Sequence, residues 1–520
     1  MLAEPPVTER YDVEPVNSPK RRQPLYAPRK KVFPKRANGR FRKFKWLVMF
    51  ITLAIYYITP WIRWDRGPFA PDQAVLVDLA NRRFYFFMIE IWPQEFYYVA
   101  GMLVMAGVGL FLITSTVGRA WCGYACPQTV WVDLFLVVER GIEGDRNARM
   151  KLDAAPWSFD KVWKRVSKHA IWMLIGIATG GAWIFYFADA PTLFVDVTTF
   201  QAPFVAYATI ALLTATTYVF GGLMREQVCT YMCPWPRIQG AMLDENSLTV
   251  TYNDWRGEPR SRHAKKAAAE GKSVGDCVDC NACVVVCPMG IDIRDGQQLE
   301  CITCALCIDA CDDVMDKLGK ERGLISYTTL NDYNANMRLA IGEGRMVNPS
   351  NVRSSATGKL VDAVKHTNWR SIVRPRTIAY FLVWAIIGLA MLTVLSLRSP
   401  ISLNVLHDRN PLYVELRDGS IRNGYDVKIL NMTPAPRTVE MRLEGLPGAA
   451  LSLADDGGTT SQVLNLSLEP DKVLPLRLYV RVNAEARPDA KQKFFIVVET
   501  LDGKTRSATE TTFEVPEARR

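Results

Sequence analysis

Eight cysteines set close together constrain this chain more than any other feature. They read Cys277-x2-Cys280-x2-Cys283-x3-Cys287-Pro288, then Cys301-x2-Cys304-x2-Cys307-x3-Cys311. Three thiolates two residues apart wrap one corner of a 4Fe–4S cubane, and a fourth arrives from elsewhere. In two-cluster ferredoxins that fourth cysteine serves the other cluster. The spacing therefore assigns Cys277, Cys280, Cys283 and Cys311 to one cluster, and Cys301, Cys304, Cys307 and Cys287 to the second. Crossed ligation keeps the two close, as a relay requires. Zinc sites also use Cys-x2-Cys pairs, but two complete cluster motifs weigh against them. One departure stands out: Cys311 is followed by Asp312 where a proline is expected. Asp309, Asp312, Asp313 and Asp316 add negative charge nearby, which disfavours the reduced cluster and lowers its potential.

The other four of the twelve cysteines form a repeat. Cys122-Gly-Tyr-Ala-Cys126-Pro127 returns 107 residues later as Cys229-Thr-Tyr-Met-Cys233-Pro234, with Arg119 and Arg225 shortly before the copies. On a helix, residues i and i+4 share a face, so each pair brings its thiols together. Two such pairs on neighbouring helices offer up to four soft ligands, which favour Cu(I), zinc or Fe–S centres over hard ions. The arginines are expected to lower the thiol pKa values, and Pro127 and Pro234 suit the first turn of a following helix. Redox-active dithiols, metal ligands and plain packing cysteines all remain open on spacing alone. Twelve thiols in metal-ligand patterns, with none over, fit a reducing compartment better than a disulfide framework.

Around these motifs lie long apolar blocks. Five meet the length rule for a membrane span of about 20 residues: 46–62, 96–117, 170–188, 202–224 and 377–397. A shorter run at 84–91 belongs at the interface. Residues 20–45 carry twelve basic and no acidic side chains, and the loop 118–168 carries nine Lys or Arg. Arg370, Arg374 and Arg376 precede the fifth block. Basic loops stay on the cytoplasmic side, so the expected topology is a cytoplasmic N-terminus and a periplasmic C-terminus in a bacterial inner membrane. Both cysteine repeats then face the cytoplasm with the clusters. The net charge of +10 is a topology signal rather than a nucleic-acid one.

The domains expected are a disordered basic tail (1–45), a four-helix membrane domain with both CxxxCP elements (46–250), and a two-cluster ferredoxin-like α+β segment (251–330). A cytoplasmic linker (331–375), a fifth membrane helix (376–398) and a periplasmic domain (399–520) complete the chain. After Arg398, runs such as 412–416, 426–430, 438–443, 474–482 and 493–499 alternate apolar and polar residues between turn signals. About seven short strands of this kind predict an immunoglobulin-like β-sandwich, suited to docking a periplasmic partner or capping the fifth span.

No Cys-x2-Cys-His haem motif and no glycine-rich dinucleotide fingerprint accompany these elements. His169, His263, His366 and His407 read as surface or interface residues. Electrons are therefore expected from another protein or from a quinol.

The order of these parts resembles the CcoG family, also called FixG or RdxA. The segments 121–127, 228–236 and 277–311 carry the resemblance, which covers roughly 30–520. It implies an accessory factor in the assembly of cbb3-type cytochrome c oxidase that reduces Cu(II) to Cu(I). By the same resemblance Cys122, Cys126, Cys229 and Cys233 are the copper-reducing or copper-handling thiols, and the partners are the oxidase assembly machinery and copper-transport proteins. The competing expectations are a quinol-linked electron conduit to a periplasmic reductase and a non-redox assembly scaffold.

Overall fold

A computed structural model of the chain describes residues 31–516, apart from 69, 264–265, 267–269, 271–272, 343–346, 355–358, 369–371, 434, 455–458, 471, 487 and 489–490. The first thirty residues of the expected tail, and Arg370, lie outside the described residues. The rest of that tail differs from expectation. Residues 31–39 pack along the cysteine segment, and a helix already begins at Arg40.

Four helices are long and apolar enough to cross a membrane: Arg40–Trp61, Pro93–Val117, Phe204–Met224 and Pro375–Leu397. They leave Phe50, Leu103, Leu212 and Leu389 on the outer surface. Contiguous apolar surface of this extent fits a lipid solvent and not water, so the chain is a membrane protein. The remaining expected span, 170–188, does not meet the same standard. Its helix, Phe159–Ile184, starts eleven residues before the apolar block, and its first turns carry Lys161, Lys164, Arg165 and Lys168. The uncharged part inside the helix, 170–184, is about 22 Å long at 1.5 Å per residue, against roughly 30 Å of hydrocarbon.

That helix nevertheless runs between the same two faces as its neighbours. Near one end Lys168 pairs with Glu143 at 2.8 Å. Past the other end, the Tyr186 hydroxyl donates to the carbonyls of Ile55 and Tyr56. Gly176 and Gly180 set it tightly against Phe204–Thr217: a Cβ on Gly180 would lie 2.8 Å from the Ile210 carbonyl oxygen. Small residues allow such close backbone approach between membrane helices.

The expected interfacial run at 84–91 forms part of a three-stranded antiparallel sheet, Val75–Asp78, Arg83–Phe86 and Ile89–Ile91. This sheet lies on the face opposite the cysteine segment. There Arg398 meets Glu95 at 3.0 Å and donates to the Glu90 carbonyl, anchoring the C-terminal domain. That domain is the expected sandwich, with nine strands among the described residues. One sheet orders Ala449–Leu453, Val473–Val482, Ile421–Asn431 and Ile401–His407, with Val414–Glu415 at its side. The other orders Val463–Leu468, Arg437–Glu444, Gln492–Thr500 and Arg506–Phe513. Alternating side chains, among them Tyr425, Val439, Phe494 and Phe513, close the space between the sheets.

Candidate functional site

The cysteine segment is framed by a two-stranded antiparallel sheet, Thr249–Tyr252 against Ile325–Thr328, which closes its two ends. Within it the chain makes the same loop twice. Asp279 and Asn281 flank Cys280, Thr303 and Ala305 flank Cys304, and all four are left-handed, with φ between 49° and 59°. A non-glycine residue costs about 1–2 kcal/mol in that region. Alternating the hand of successive residues turns their N–H groups inward into a nest that receives an anion. The strain is repeated at equivalent positions, so it belongs to the function of the loops.

Two enclosed cavities result. One is lined by Cys277, Cys280, Cys283 and Cys311, the other by Cys287, Cys301, Cys304 and Cys307. Cys283 borders both, so the two cavities adjoin. Burial pushes the thiols of Cys287 and Cys311 up to about 12 and that of Cys301 up to about 11. Backbone N–H groups of Met289 and Ile291 act the other way on Cys287, and that of Thr303 on Cys301. Thiols held protonated by burial but facing amide donors are poised to become thiolates when a cation arrives. This donor set, with Val250, Ile293 and Ile302 around the second cavity, fits an iron–sulfur cubane.

Two expectations about this segment change. The missing proline after Cys311 has a local cause: Cys311 stands inside the helix Leu306–Lys317, where a proline at 312 would break the helix. Asp312 instead accepts the Gly323 N–H at 3.0 Å. The four aspartates are also not free charges. Asp309 accepts from the amides of Phe41 and Arg42, Asp313 pairs with Lys317, and Asp316 with Arg322. Their pull on the cluster potential is correspondingly smaller than the sequence implies.

The CxxxCP elements keep their duplication in three dimensions. Cys122 lies in the helix Ala120–Tyr124, and Cys126 just past it in extended backbone at φ −58°, ψ 130°. Cys229 lies in a wide π-helical turn, Val228–Met232, and Cys233 again just past it at φ −80°, ψ 121°. The helical expectation thus holds for the first cysteine of each pair and not for the second. Pro127 opens the helix Pro127–Glu143, and Pro234 immediately precedes Trp235–Met242.

The Gln128 amide joins the two elements, donating to the carbonyls of Phe220 at 2.8 Å and Arg225 at 3.1 Å. The Cys122 thiol donates to Gln239 at 3.0 Å. The expectation of lowered thiol pKa values reverses. Burial pushes Cys122 up to about 12 and Cys229 up to about 11, with the neighbouring thiols adding to it. Arg119 opposes the shift at both, but Arg225 is occupied by Glu139 at 3.0 Å.

The first element also touches the cluster segment. A Cβ on Gly123 would lie 2.6 Å from the Ile302 carbonyl oxygen and 3.0 Å from the Cys304 Cα. Tyr124 donates to the Cys304 carbonyl at 3.2 Å, and Tyr327 to that of Thr303 at 2.6 Å. The sequence shows Tyr124 recurring as Tyr231 in the second element, but gives no role to Gly123, Gln128 or Gln239. Of these, only Gly123 carried a signal, as the small residue inside a CxxxC element. His169 is not a plain surface group either: its Nδ1 meets the Tyr218 hydroxyl at 2.9 Å.

Cysteine loops shaped for iron–sulfur clusters, seated on apolar helices that suit a bilayer, define a membrane-bound iron–sulfur protein. Residues 224–330 match the family described as a 4Fe-4S dicluster domain, and residues 99–142 one described as a 4Fe-4S binding domain. Residues 391–516 match the IG-like fold at the C-terminus of FixG. The chain is 66% identical over 510 residues to nitrogen fixation protein FixG of Rhizobium meliloti, covering 98% of this chain and 97% of that protein. It is 56% identical to protein RdxB of Cereibacter sphaeroides over 456 residues, 88% of this chain and 90% of that one. Protein RdxA of the same organism is 52% identical over 436 residues, 84% and 87% of the two chains. The chain belongs to the FixG/RdxA family.

Proposed function

We propose that this chain passes single electrons from two 4Fe–4S clusters to a copper ion at its membrane-edge thiols, reducing Cu(II) to Cu(I), in support of cbb3-type cytochrome c oxidase assembly. In this reading Cys277, Cys280, Cys283 and Cys311 hold one cluster, and Cys287, Cys301, Cys304 and Cys307 the other, in a ferredoxin-like manner. When bound, the clusters supply one-electron chemistry at a potential set by charge, hydrogen bonds and exposure.

The observation that carries the reading is the contact at Gly123, where the first CxxxCP element lies directly on the Cys304 backbone. Cys122 packs in one buried cluster with Ile302, Cys304 and Leu306 of the cluster loop. Cys122 is buried while Cys233 is exposed, which gives a solvent-borne copper ion access to the outer end of the group. Sulfur ligands favour the Cu(I) product. Copper is the substrate here, delivered and collected by copper-transport proteins and the oxidase assembly machinery.

The same reading puts the protein in a bacterial inner membrane, with the clusters cytoplasmic and the sandwich periplasmic. The basic residues on the cluster face support that direction. The helix Phe159–Ile184 makes the fifth crossing, which its run between the same two faces supports.

The test is anaerobic Cu(II) reduction by the dithionite-reduced protein, comparing wild type with a variant carrying Cys122→Ser, Cys126→Ser, Cys229→Ser and Cys233→Ser. Loss of Cu(I) production with the clusters of residues 277–311 intact is expected. Unchanged production would remove the thiols from the reaction.

A second reading, electron entry from a quinol, is favoured by one feature. A cavity of about 430 Å³ at the end of the helix Tyr97–Val117 is lined by Arg119, Leu243, Ser247, Gln297 and Cys301. It reaches a cluster ligand from the level of the membrane surface. Reduction of the clusters by a short-chain quinol, abolished by Leu243→Trp, is the result this reading requires.

A further inference from the structure

We infer that Cys122, Cys126, Cys229 and Cys233 together hold a further iron–sulfur cluster, so that the chain carries three such centres in a row. The inference rests on the electron-transfer reading above but changes the thiols' part in it, from ligands of copper to ligands of a cluster that passes the electron on, and it stands or falls on iron content.

The first ground is convergence. The Gln128 bonds to Phe220 and Arg225 hold the end of one element against the turn that precedes the other. Cys122 is under the influence of all three of the other thiols, and Cys229 of Cys126 and Cys233. The four belong to one group contributed by two segments 107 residues apart. None is tied up in a disulfide. Four thiolates are the donor set of zinc and of iron–sulfur centres.

The second ground is spacing. Among the described residues no three His, Cys, Asp or Glu side chains converge closely enough to hold a single ion. That holds for the CxxxCP thiols, and it holds equally for the eight thiols around the two cluster cavities. A lone copper or zinc ion draws its sulfurs to about 2.3 Å from one centre. A cubane spreads them over its corner irons. The CxxxCP thiols thus resemble the cluster ligands in forming no mononuclear site among the described residues.

The third ground is the local chemistry of the ligands. Cys126 stands at the N-cap position of the seventeen-residue helix Pro127–Glu143, near the N–H groups of Gln128 and Thr129. Helix N-termini stabilise thiolates, and the same amide-to-sulfur arrangement occurs at Cys287 and Cys301. Arg119 acts on Cys122, Cys229 and also Cys301, so one guanidinium is shared between this group and the neighbouring cluster cavity. It is buried, and its Nε–H has no partner among the described residues. As four Fe–S bonds form, the four thiols release four protons to solvent, and Arg119 offsets part of the charge that remains.

The match of residues 99–142 to a 4Fe-4S binding domain points the same way. That stretch holds only Cys122 and Cys126, half of what a cubane needs. The fold supplies the other half from Cys229 and Cys233.

The test uses the full chain purified anaerobically in detergent. Iron and acid-labile sulfide are measured per chain, together with zinc and copper, and the spins of the dithionite-reduced protein are counted by electron paramagnetic resonance. About twelve iron atoms per chain, four per cubane, are expected in the wild type. The four-serine variant is expected to fall to about eight iron atoms while keeping the spectrum of the remaining clusters. Cys233→Ser alone, at the exposed position, is expected to alter one set of signals and leave the others. A wild type with about eight iron atoms, or one with a single zinc or copper ion in addition, would overturn the inference, and so would a four-serine variant that loses no iron. Twelve iron atoms without Cu(I) production would leave the third cluster standing and remove the copper reading. Eight with Cu(I) production would do the reverse.

Discussion

The C-terminal sandwich and the cysteine segment are folded by different means. The sandwich closes on a core of nineteen buried apolar residues, complete without any cofactor. The core of the cysteine segment counts eleven buried members, and three of them are cysteines. Its remaining thiols line cavities where a hydrophobic core would otherwise stand. Hydrocarbon burial of about 25 cal/mol per Å² stabilises the sandwich outright. The cysteine segment instead depends on metal–sulfur bonds, whose free energy becomes folding energy. Two regions of one chain therefore respond to different insults.

The sharpest way to break this contrast is to remove iron. Chelation under mildly acidic reducing conditions is expected to abolish protection of residues 249–328 in hydrogen exchange, while the sandwich melts at its usual temperature. A cysteine segment that stays protected without iron would defeat the comparison. Next in size is the reciprocal experiment: Phe494→Ala, at a fully buried position, should cost the sandwich about 3–5 kcal/mol in denaturant titration and leave iron content unchanged.

A smaller effect is expected from Asp309→Ala. Its carboxylate accepts the Arg42 amide at 2.7 Å and the Phe41 amide at 3.2 Å, and each hydrogen bond to a charged group is worth about 1.5–3 kcal/mol. Proteolysis within residues 31–45 should rise, and the iron content should fall more slowly than the protection does.

The smallest expected effect is a pH dependence at the start of the helix Pro375–Leu397. Burial works to raise the Asp244 carboxyl, but bonds from Arg374, Ser247 and the Asn246 amide outweigh it and hold it down at about 2. Its folded value lies below the unfolded one, so its contribution is complete above the ordinary carboxylate range and disappears as pH falls toward 2. Exchange of the Leu248 amide, bonded to the Thr116 carbonyl at 3.2 Å, should quicken over that interval, and Asp244→Asn should flatten the response at a cost of about 1 kcal/mol.

What was legible in the sequence follows the same division. The cysteine spacings specify crossed cavities because a cubane dictates where its ligands must stand, and the structure gathers Cys277 with Cys311, and Cys287 with Cys301, as that spacing requires. The sandwich was legible because alternation is the direct consequence of a pleated, half-buried strand. Features imposed from a distance were not. The wide turn Tyr218–Met224 is flanked by contacts that no local pattern encodes: a Cβ on Gly222 would lie 2.9 Å from the Trp172 ring, and one on Gly221 3.2 Å from Phe135. The reversed thiol pKa values have a similar origin, since the burial that raises them is built by distant segments, and Arg225, beside its cysteines in sequence, is claimed by Glu139. The charged start of Phe159–Ile184 hides how far that helix continues.

The bonds from Phe41 and Arg42 to Asp309 also set an order of events in biogenesis. The two amides leave the ribosome early, and the carboxylate that receives them is made 268 and 267 residues later. Lys35 likewise waits for the Val285 carbonyl, which its amide meets at 2.8 Å. The stretch from Val32 to Arg42 therefore closes over the cysteine loops last, after three membrane helices and both cysteine pairs have been synthesised. Until Val285 and Asp309 are made, the amides of Lys35, Phe41 and Arg42 lack the acceptors they have in the folded chain.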